Sequence, residues 1–376
     1  MNIDRKRIAE QIALSLTKGV HAEIVRCMTD RGVDIGDFFE MPSLTLCDTL
    51  NISRTNIFSK SSRDEAYSLA WKELEFIEKH NIKVLYIENE EYPQRLKECY
   101  DAPVVLYMFG DCDLNKEHFM SVVGTRKATQ YGASFCKTLV TDLGDMLCDE
   151  LTVVSGLAYG IDALAHSACL ERGLPTVGVL AHGLNMIYPA AHRDLAHRII
   201  KSGGCLLTEY ASYQKALRPH FLERNRIVAG LSDVTVVVES DIKGGAMSTA
   251  QRAVEYDRDV MALPGKINDE MSRGCNHLIR KNKASMITCA TDLMEQMNWF
   301  PKEMNISPRQ RVIFPELSPE EKSIYDLLRL NNRDYTIDEI HQNLCIPISK
   351  LQVLLMELEF NGVIVRCPGN KVALSL

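Results

Sequence analysis

The chain has 376 residues, 46% of them hydrophobic and 25% charged, which fits a folded protein of two or three domains and excludes a disordered or collagen-like one. A net charge of -7 excludes a uniformly basic nucleic-acid coat but leaves room for local basic patches. The 12 cysteines contain no CxxC pair and the 10 histidines no HExxH or zinc-finger spacing, so no metal is expected and the cysteines read as reduced and buried.

The amino-terminal run MNIDRKRIAEQIALSLTKG lacks a long apolar core and a cleavage site. No segment approaches the ~18 apolar residues of a membrane span, so a cytoplasmic protein without a membrane partner is expected. Residues 1–62 read as a module of short helices. Only Gly19 fits the glycine-rich turn of a hairpin-type DNA-binding unit, so this module reads as scaffolding. Ser62-x-x-Glu65 has the form of a capping box, predicting a helix to about Lys79. Strands follow at Ile82–Ile87 and Val104–Met108, with a turn and a short helix after Tyr92-Pro93.

From Met120 the pattern alternates strand and helix. Strands are predicted at Met120–Val123, Leu151–Val154, Thr176–Leu180, Cys205–Leu207, Val234–Val238 and Val260–Leu263. Helices are predicted at 130–148, 158–172, 190–202, 220–231 and 246–257. The strands are apolar on both faces, the mark of a parallel sheet covered on both sides. The fold class is therefore α/β, a doubly wound Rossmann-like parallel sheet within residues 63–300.

Residues 301–317 hold Pro301, Pro308 and Pro315 and read as a linker. In 318–376, Ser318-Pro319-Glu320-Glu321 and Thr336-x-x-Glu339 open two helices. Leu351, Leu354, Leu355 and Leu358 stripe a third, and Val363–Arg366 with Val372–Leu374 form a hairpin around Pro368-Gly369. Three helices and a hairpin predict a winged helix.

In a parallel sheet, ligands collect where strand carboxyl ends meet helix amino-termini. The loop Gly124-Thr125-Arg126-Lys127 offers close backbone approach, a hydroxyl donor and a guanidinium suited to phosphate. A tight turn with a solvated arginine explains the same residues equally well. Ser155, Gly156 and Gly160 lead into the next helix and could present backbone N–H groups to an anion. Asp162 and His166, four apart, share a helix face and read as structural hydrogen bonding rather than a catalytic dyad.

Lys215–Arg226 carries Lys215, Arg218, Arg224 and Arg226 against Glu223, with Phe221 among them. Cations that follow phosphates around a ring that stacks on a base suit single strands. Helical spacing of Phe221 with Ile227 and Val228 supports a core role for that ring instead. Lys243-Gly244-Gly245 opens another helix without Walker spacing. Several phosphate-type loops without a dinucleotide fingerprint suggest a run of phosphates and no cofactor. No acidic metal cluster or Ser-His-Asp order supports nuclease chemistry.

The strings SVVGTRKATQYG, VSGLAYGIDALAH, GVLAHGLNMIYP, FLERNRIVAGLSD, KGGAMSTAQRAVEYDRDVMALPG and GCNHLI, in this order, closely resemble the DNA processing protein A family, also called Smf. The resemblance is dense from about Glu91 to Leu293. It implies a non-enzymatic single-stranded DNA-binding mediator of recombination and natural transformation. It further implies protection of DNA strands, loading of the RecA recombinase, interplay with single-strand binding protein, and a homodimer. The amino-terminal module then belongs with the family's SAM or helix-hairpin-helix-like accessory domains. Residue by residue, the resemblance points to Gly124, Thr125 and Arg126, to Ser155, Gly156 and Gly160, to Arg218 and Phe221, and to Arg224-Asn225-Arg226. Thr125 stands where serine is usual, and Gly245-Ala246 where Gly-Ser is common, which removes one hydroxyl donor.

Residues 308–376 carry eight Lys/Arg against nine Asp/Glu, so the winged helix reads as a protein contact or regulatory unit, not a duplex reader. The alternative for the whole chain is a nucleotide phosphoribohydrolase-like enzyme, suggested by the Gly-Gly-x-x-x-Thr loop within Lys243–Thr249 together with Glu255.

Overall fold

A computed structural model of the chain describes residues 3–52, 58–300, 318–331, 335–344, 346–360, 363–367 and 371–374. The chain divides into two compact units, Met1–Lys302 and Glu303–Leu376. The expected linker, 301–317, lies outside the described residues.

The first unit opens with helices α1 (Ile3–Leu16), α2 (Ala22–Asp30), α3 (Ile35–Glu40), α4 (Ser43–Leu50) and α5 (Lys60–His80). Helix α1 packs along α5, and Arg5 pairs with Glu78 across them at 2.6 Å. Arg63 of α5 is fully buried and donates to the carbonyls of Phe38 and Met41, tying α3 to α5. The helix begins earlier than Ser62-x-x-Glu65 predicts: Ser59 is the N-cap and accepts from the Ser62 amide. A serine three residues upstream caps the Ser62 amide instead, so the helix starts nearly one turn sooner.

A nine-stranded sheet follows. Its strands are β1 (Lys83–Tyr86), β2 (Val105–Gly110), β3 (His118–Val123), β4 (Leu151–Ser155), β5 (Thr176–Val179), β6 (Cys205–Thr208), β7 (Val234–Val237), β8 (Asp259–Ala262) and β9 (Ser285–Met286). A short helix α6 (Gln94–Lys97) joins β1 to β2. The order across the sheet is β1-β2-β6-β5-β4-β3-β7-β8-β9. Pairing is parallel from β6 to β9, but β2 meets β6 antiparallel and β1 meets β2 antiparallel. The six strands predicted from 120 onward all form, with ends within two residues of expectation.

Helices α7 (Gln130–Leu147), α8 (Ile161–Arg172), α9 (Arg193–Lys201), α10 (Arg218–Gly230), α11 (Gly245–Glu255), α12 (Arg273–Arg280) and α13 (Ala290–Met297) connect and cover the strands. Strand residues alternate between two cores, as a period of two requires. Met120 and Val122 of β3 pack with Leu139, Val140 and Leu143 of α7 on one face. Phe119 and Val123 face the other core with Ile227 of α10 and Ala250 of α11. Both faces are thus dry, which explains the unbroken apolar runs. The parallel part starts in the middle at β3, runs outward through β4, β5 and β6, then crosses back to β7 on the other side of β3. Strand order reverses between β3 and β7, and that reversal opens a crevice at their carboxyl ends.

The second unit holds α14 (Pro319–Asn331), β10 (Tyr335–Thr336), α15 (Ile337–Leu344), α16 (Ile348–Phe360), β11 (Ile364–Cys367) and β12 (Lys371–Leu374). Both predicted capping boxes form. The Ser318 amide donates to Glu321 at 2.7 Å while Ser318 Oγ accepts from the Glu321 amide at 3.3 Å. Thr336 and Glu339 repeat the exchange at 2.8 and 3.2 Å. The strands pair in the order β10-β12-β11 over Ile324, Leu328, Leu351, Leu355 and Leu358. This is the winged helix expected from the sequence, although the Pro368-Gly369 turn lies outside the described residues.

Candidate functional site

Three loops meet at the switch point: 124–129 after β3, 156–160 after β4 and 238–244 after β7. Backbone hydrogen bonds lock them together. The Thr125 amide donates to the Glu239 carbonyl at 2.6 Å, and the Ile161 amide donates to the Thr125 carbonyl at 3.2 Å. Glu239 is buried, and its carboxylate accepts from the Thr129 amide at 2.9 Å and from the Thr129 hydroxyl, fixing the start of α7. Gly160 has φ 77°, and a Cβ there would lie 2.2 Å from the Thr125 carbonyl oxygen. Only glycine allows this crossing of two loops.

Between the loops lies a cleft of about 310 Å³. Nine residues expected from the sequence line it: Gly124, Thr125, Arg126, Gly156, Phe221, Arg224, Asn225, Gly244 and Gly245. Helix α11 starts on the cleft with Gly244 as N-cap and no side chain capping it, so its first amides have no side-chain acceptor. Asn225 steadies that end by donating to the Gly245 carbonyl at 3.4 Å. Arg126 is exposed and forms no ion pair with a described residue. Thr125 does not aim its hydroxyl at open space: it donates to Met271 Sδ at 3.2 Å.

The remaining expected residues sit elsewhere. Lys127, Arg218 and Lys243 are exposed and unpaired among the described residues, within three positions of lining residues but outside the lining itself. Ser155 is fully buried and donates to the Val122 carbonyl at 2.6 Å, so it stitches β4 to β3. Gly160 supports the loops from behind.

The two arginines of the 224–226 run turn inward. Arg224 is 5% exposed; its Nη1 donates to the Gly156 carbonyl at 2.6 Å and to the Val179 carbonyl. Its guanidinium occupies the space a Cβ on Gly156 would need, at 2.5 Å. Arg226 pairs with Glu209 and donates to the Asp101 carbonyl. A basic run expected to follow phosphates thus also supplies two arginines that hydrogen-bond inside the protein. The cause is helical phase: Arg224 shares its face with the buried Ile227 and Val228.

Asp162 and His166 do not meet. The Asp162 carboxylate accepts from the Gly156 and Ala158 amides at 3.2 and 3.3 Å, with burial pushing its pKa up and Arg224 pulling it down. His166 is buried with Nδ1 2.7 Å from Thr176 Oγ1, and burial lowers its pKa to about 3. Both make the internal hydrogen bonds expected of them, and Asp162 also lines the cleft. Glu255 lies at the opposite end of α11 from Gly245, ~15 Å along the axis, and pairs with Arg252. It does not face the cleft that an enzymatic reading needs. Among the described residues one trio, Glu117, His118 and Glu150, has potential ligand atoms within 4.8 Å of one another, at the opposite end of β3.

Sequence reasoning missed two aromatic rings. Tyr188 is 48% exposed and meets Phe221 edge-on at 5.5 Å; Tyr159 is 47% exposed and meets His192 at 4.9 Å. Tyr188 lies in an irregular loop where no periodicity operates. Only its place in the string GVLAHGLNMIYP marked it.

The chain is thus a Rossmann-like protein whose switch-point cleft brings together glycine turns, a helix amino-terminus without a side-chain cap and an arginine with no ion pair among the described residues. Comparison with known proteins makes this specific. Residues 83–298 match the family described as DNA recombination-mediator protein A, and residues 313–370 match the DprA winged helix domain. The chain belongs to the DNA recombination-mediator protein A family. It is 39% identical over 208 residues to DNA processing protein DprA of Streptococcus pneumoniae, covering 55% of this chain and 72% of the relative. It is 32% identical over 321 residues to protein Smf of Escherichia coli, covering 82% and 80%. The crystal structure of the S. pneumoniae protein superposes with a TM-score of 0.64, covering 79% of this chain and 99% of that one at 32% identity. A DNA processing protein A from Helicobacter pylori, described for its single-stranded DNA binding mode, gives 0.52 over 58% of this chain and 95% of its own, at 30% identity. No helix among the described residues is long and apolar enough to cross a membrane.

Proposed function

We propose that the protein holds the backbone of single-stranded DNA in the switch-point cleft without cutting it. The carrying observation is the cleft itself, whose lining joins the start of α11, without a side-chain cap, to Arg126, a cation with no ion pair among the described residues. Gly245, where a Cβ would meet nothing within 4 Å, lets phosphates approach the backbone, while Gly124 and Gly244 make room for Ile161 and Ser240; Lys127, Arg218 and Lys243 extend the path on either side. Phe221 and Tyr188 offer ring faces for bases. Ser155, Gly156, Gly160, Arg224 and Arg226 shape the loops rather than touch DNA, and Asn225 props the start of α11. The family's description as a recombination mediator supports a recombination role; the wider reading, carried by the resemblance, is a cytoplasmic homodimer that protects strands, acts against single-strand binding protein and loads the RecA recombinase in recombination and DNA uptake. Residues 63–300 form the binding body under this reading. The winged helix supplies a protein contact, since α16 exposes Ile348, Val353 and Met356 instead of a basic face.

Fluorescence polarisation with a labelled oligothymidylate, titrated across salt, tests the reading. Affinity falls with a logarithmic slope near ~0.7 per phosphate contact, and duplex of equal length binds more weakly. Equal affinity for duplex, or a flat salt response, overturns it. Incubation with AMP separates the enzymatic alternative: release of free base sinks the binder-only reading.

A further inference from the structure

A second cavity lies outside the cleft lining, on the face of the sheet that α9 covers. It is a groove of about 270 Å³. Phe109 of β2, Leu206 of β6, and Ala196 and Ile200 of α9 form its floor, and Met186 and Ile187 form one wall. Phe109, Met186, Ile187 and Ile200 are only partly buried, so apolar surface remains that the fold does not cover. At the edge stand Arg193 and His197, four residues apart and therefore on one helix face. Both are exposed, and neither pairs with a described acid. Helix α9 as a whole carries Arg193, Arg198 and Lys201 against Asp194, in a chain whose net charge is -7.

We propose that this groove docks an acidic peptide segment of a partner protein, anchored by a large apolar side chain. An apolar lining beside the unpaired Arg193 guanidinium is complementary to a carboxylate that flanks such an anchor. The volume falls just below the ~300–1,000 Å³ of drug-sized ligand pockets, which suits an inserted side chain more than a whole small molecule. Its wall continues directly into Tyr188, whose ring meets Phe221 at the cleft. A docked partner therefore sits one loop away from that cleft. The groove's chemistry does not depend on what the cleft binds.

The test uses the full chain without DNA and a fluorescein-labelled peptide Glu-Glu-Asp-Leu-Phe. Polarisation shows saturable binding that weakens about ten-fold in Arg193→Glu, and similarly in Met186→Glu, the size of losing one good contact. A peptide with serines in place of Leu-Phe binds at least about ten-fold more weakly. Unchanged melting curves and unchanged oligothymidylate binding in both variants separate loss of docking from loss of fold or of the cleft. Absence of saturation by ~1 mM peptide, parent-like affinity in both variants, or equal binding of the serine peptide overturns the proposal.

Discussion

Replacing Arg224 with alanine separates a strut from a ligand contact. The side chain is buried at the cleft wall, donates to the carbonyls of Gly156 and Val179, and feels the buried Asp162 carboxylate. Hydrogen bonds from a charged donor are worth ~1.5–3 kcal/mol each, and losing a buried countercharge adds to the cost, so the change removes ~3–5 kcal/mol. At about 2–4 °C per kcal/mol, the first unit melts roughly 6–20 °C lower. Arg126→Ala is the contrast. That side chain is exposed and unpaired, so its removal shifts stability by less than ~0.5 kcal/mol and lowers the salt slope of strand binding by ~0.7. Thermal melts and salt-dependent polarisation on both variants decide the matter. Parent-like melting of Arg224→Ala together with a reduced salt slope refutes the reasoning, because it means that Arg224 leaves its pocket to meet the strand.

Three further outcomes are expected. His166 is held neutral by burial with a pKa of about 3 against an ordinary value of 6.5, so the unfolded chain binds the extra proton between those values. Its stabilisation is complete above pH ~6.5 and falls by ~1.4 kcal/mol per pH unit below it. Urea melts at pH 7 and 5 therefore lose ~2 kcal/mol more in the parent than in His166→Gln, and equal losses count against this. Gly160→Ala forces a Cβ into the Thr125 carbonyl and lowers the melting point, whereas Gly245→Ala meets no atom within 4 Å, keeps the fold and weakens strand binding only. Tyr188→Ala costs ~1–3 kcal/mol of oligothymidylate affinity if its ring stacks on a base, with melting unchanged; parent-like affinity removes it from the binding path.

Much of the molecule was legible in the chain because one physical rule governed it. Strands β3 to β8 are dry on both faces, and that dryness is written as unbroken Val/Leu runs. The capping boxes at Ser318 and Thr336 are local chemistry and formed as read. What escaped depends on distant or oblique relations. No local signal announces that β2 pairs antiparallel with β6 almost a hundred residues later. Helices α12 and α13 and the two-residue β9 are too short for a period to emerge. At the site, residue type suggested that Arg224 was a ligand group, and the structure places it on the cleft lining, buried and hydrogen-bonded internally. The i, i+3, i+4 relation of Arg224 to Ile227 and Val228 already carried that burial, visible only when a buried arginine is admitted as a possibility.

The antiparallel join of β2 to β6 also sets a timetable for synthesis. Strand β2 ends at Gly110, and its partner begins at Cys205. At ~5–20 residues per second, a ribosome takes roughly 5–20 s to deliver β6 after β2 has emerged. During that interval the β2 edge that later meets β6 is open, as the outer edge of β1 is throughout, and the apolar side chains of Val105 to Met108 have to be shielded. Helices α1 to α5, made earlier and packed in the same core, are the cover available at that moment. Truncating the amino-terminal helices is therefore expected to leave those side chains uncovered while β6 is still being made, seen as lower soluble yield of the truncated chain.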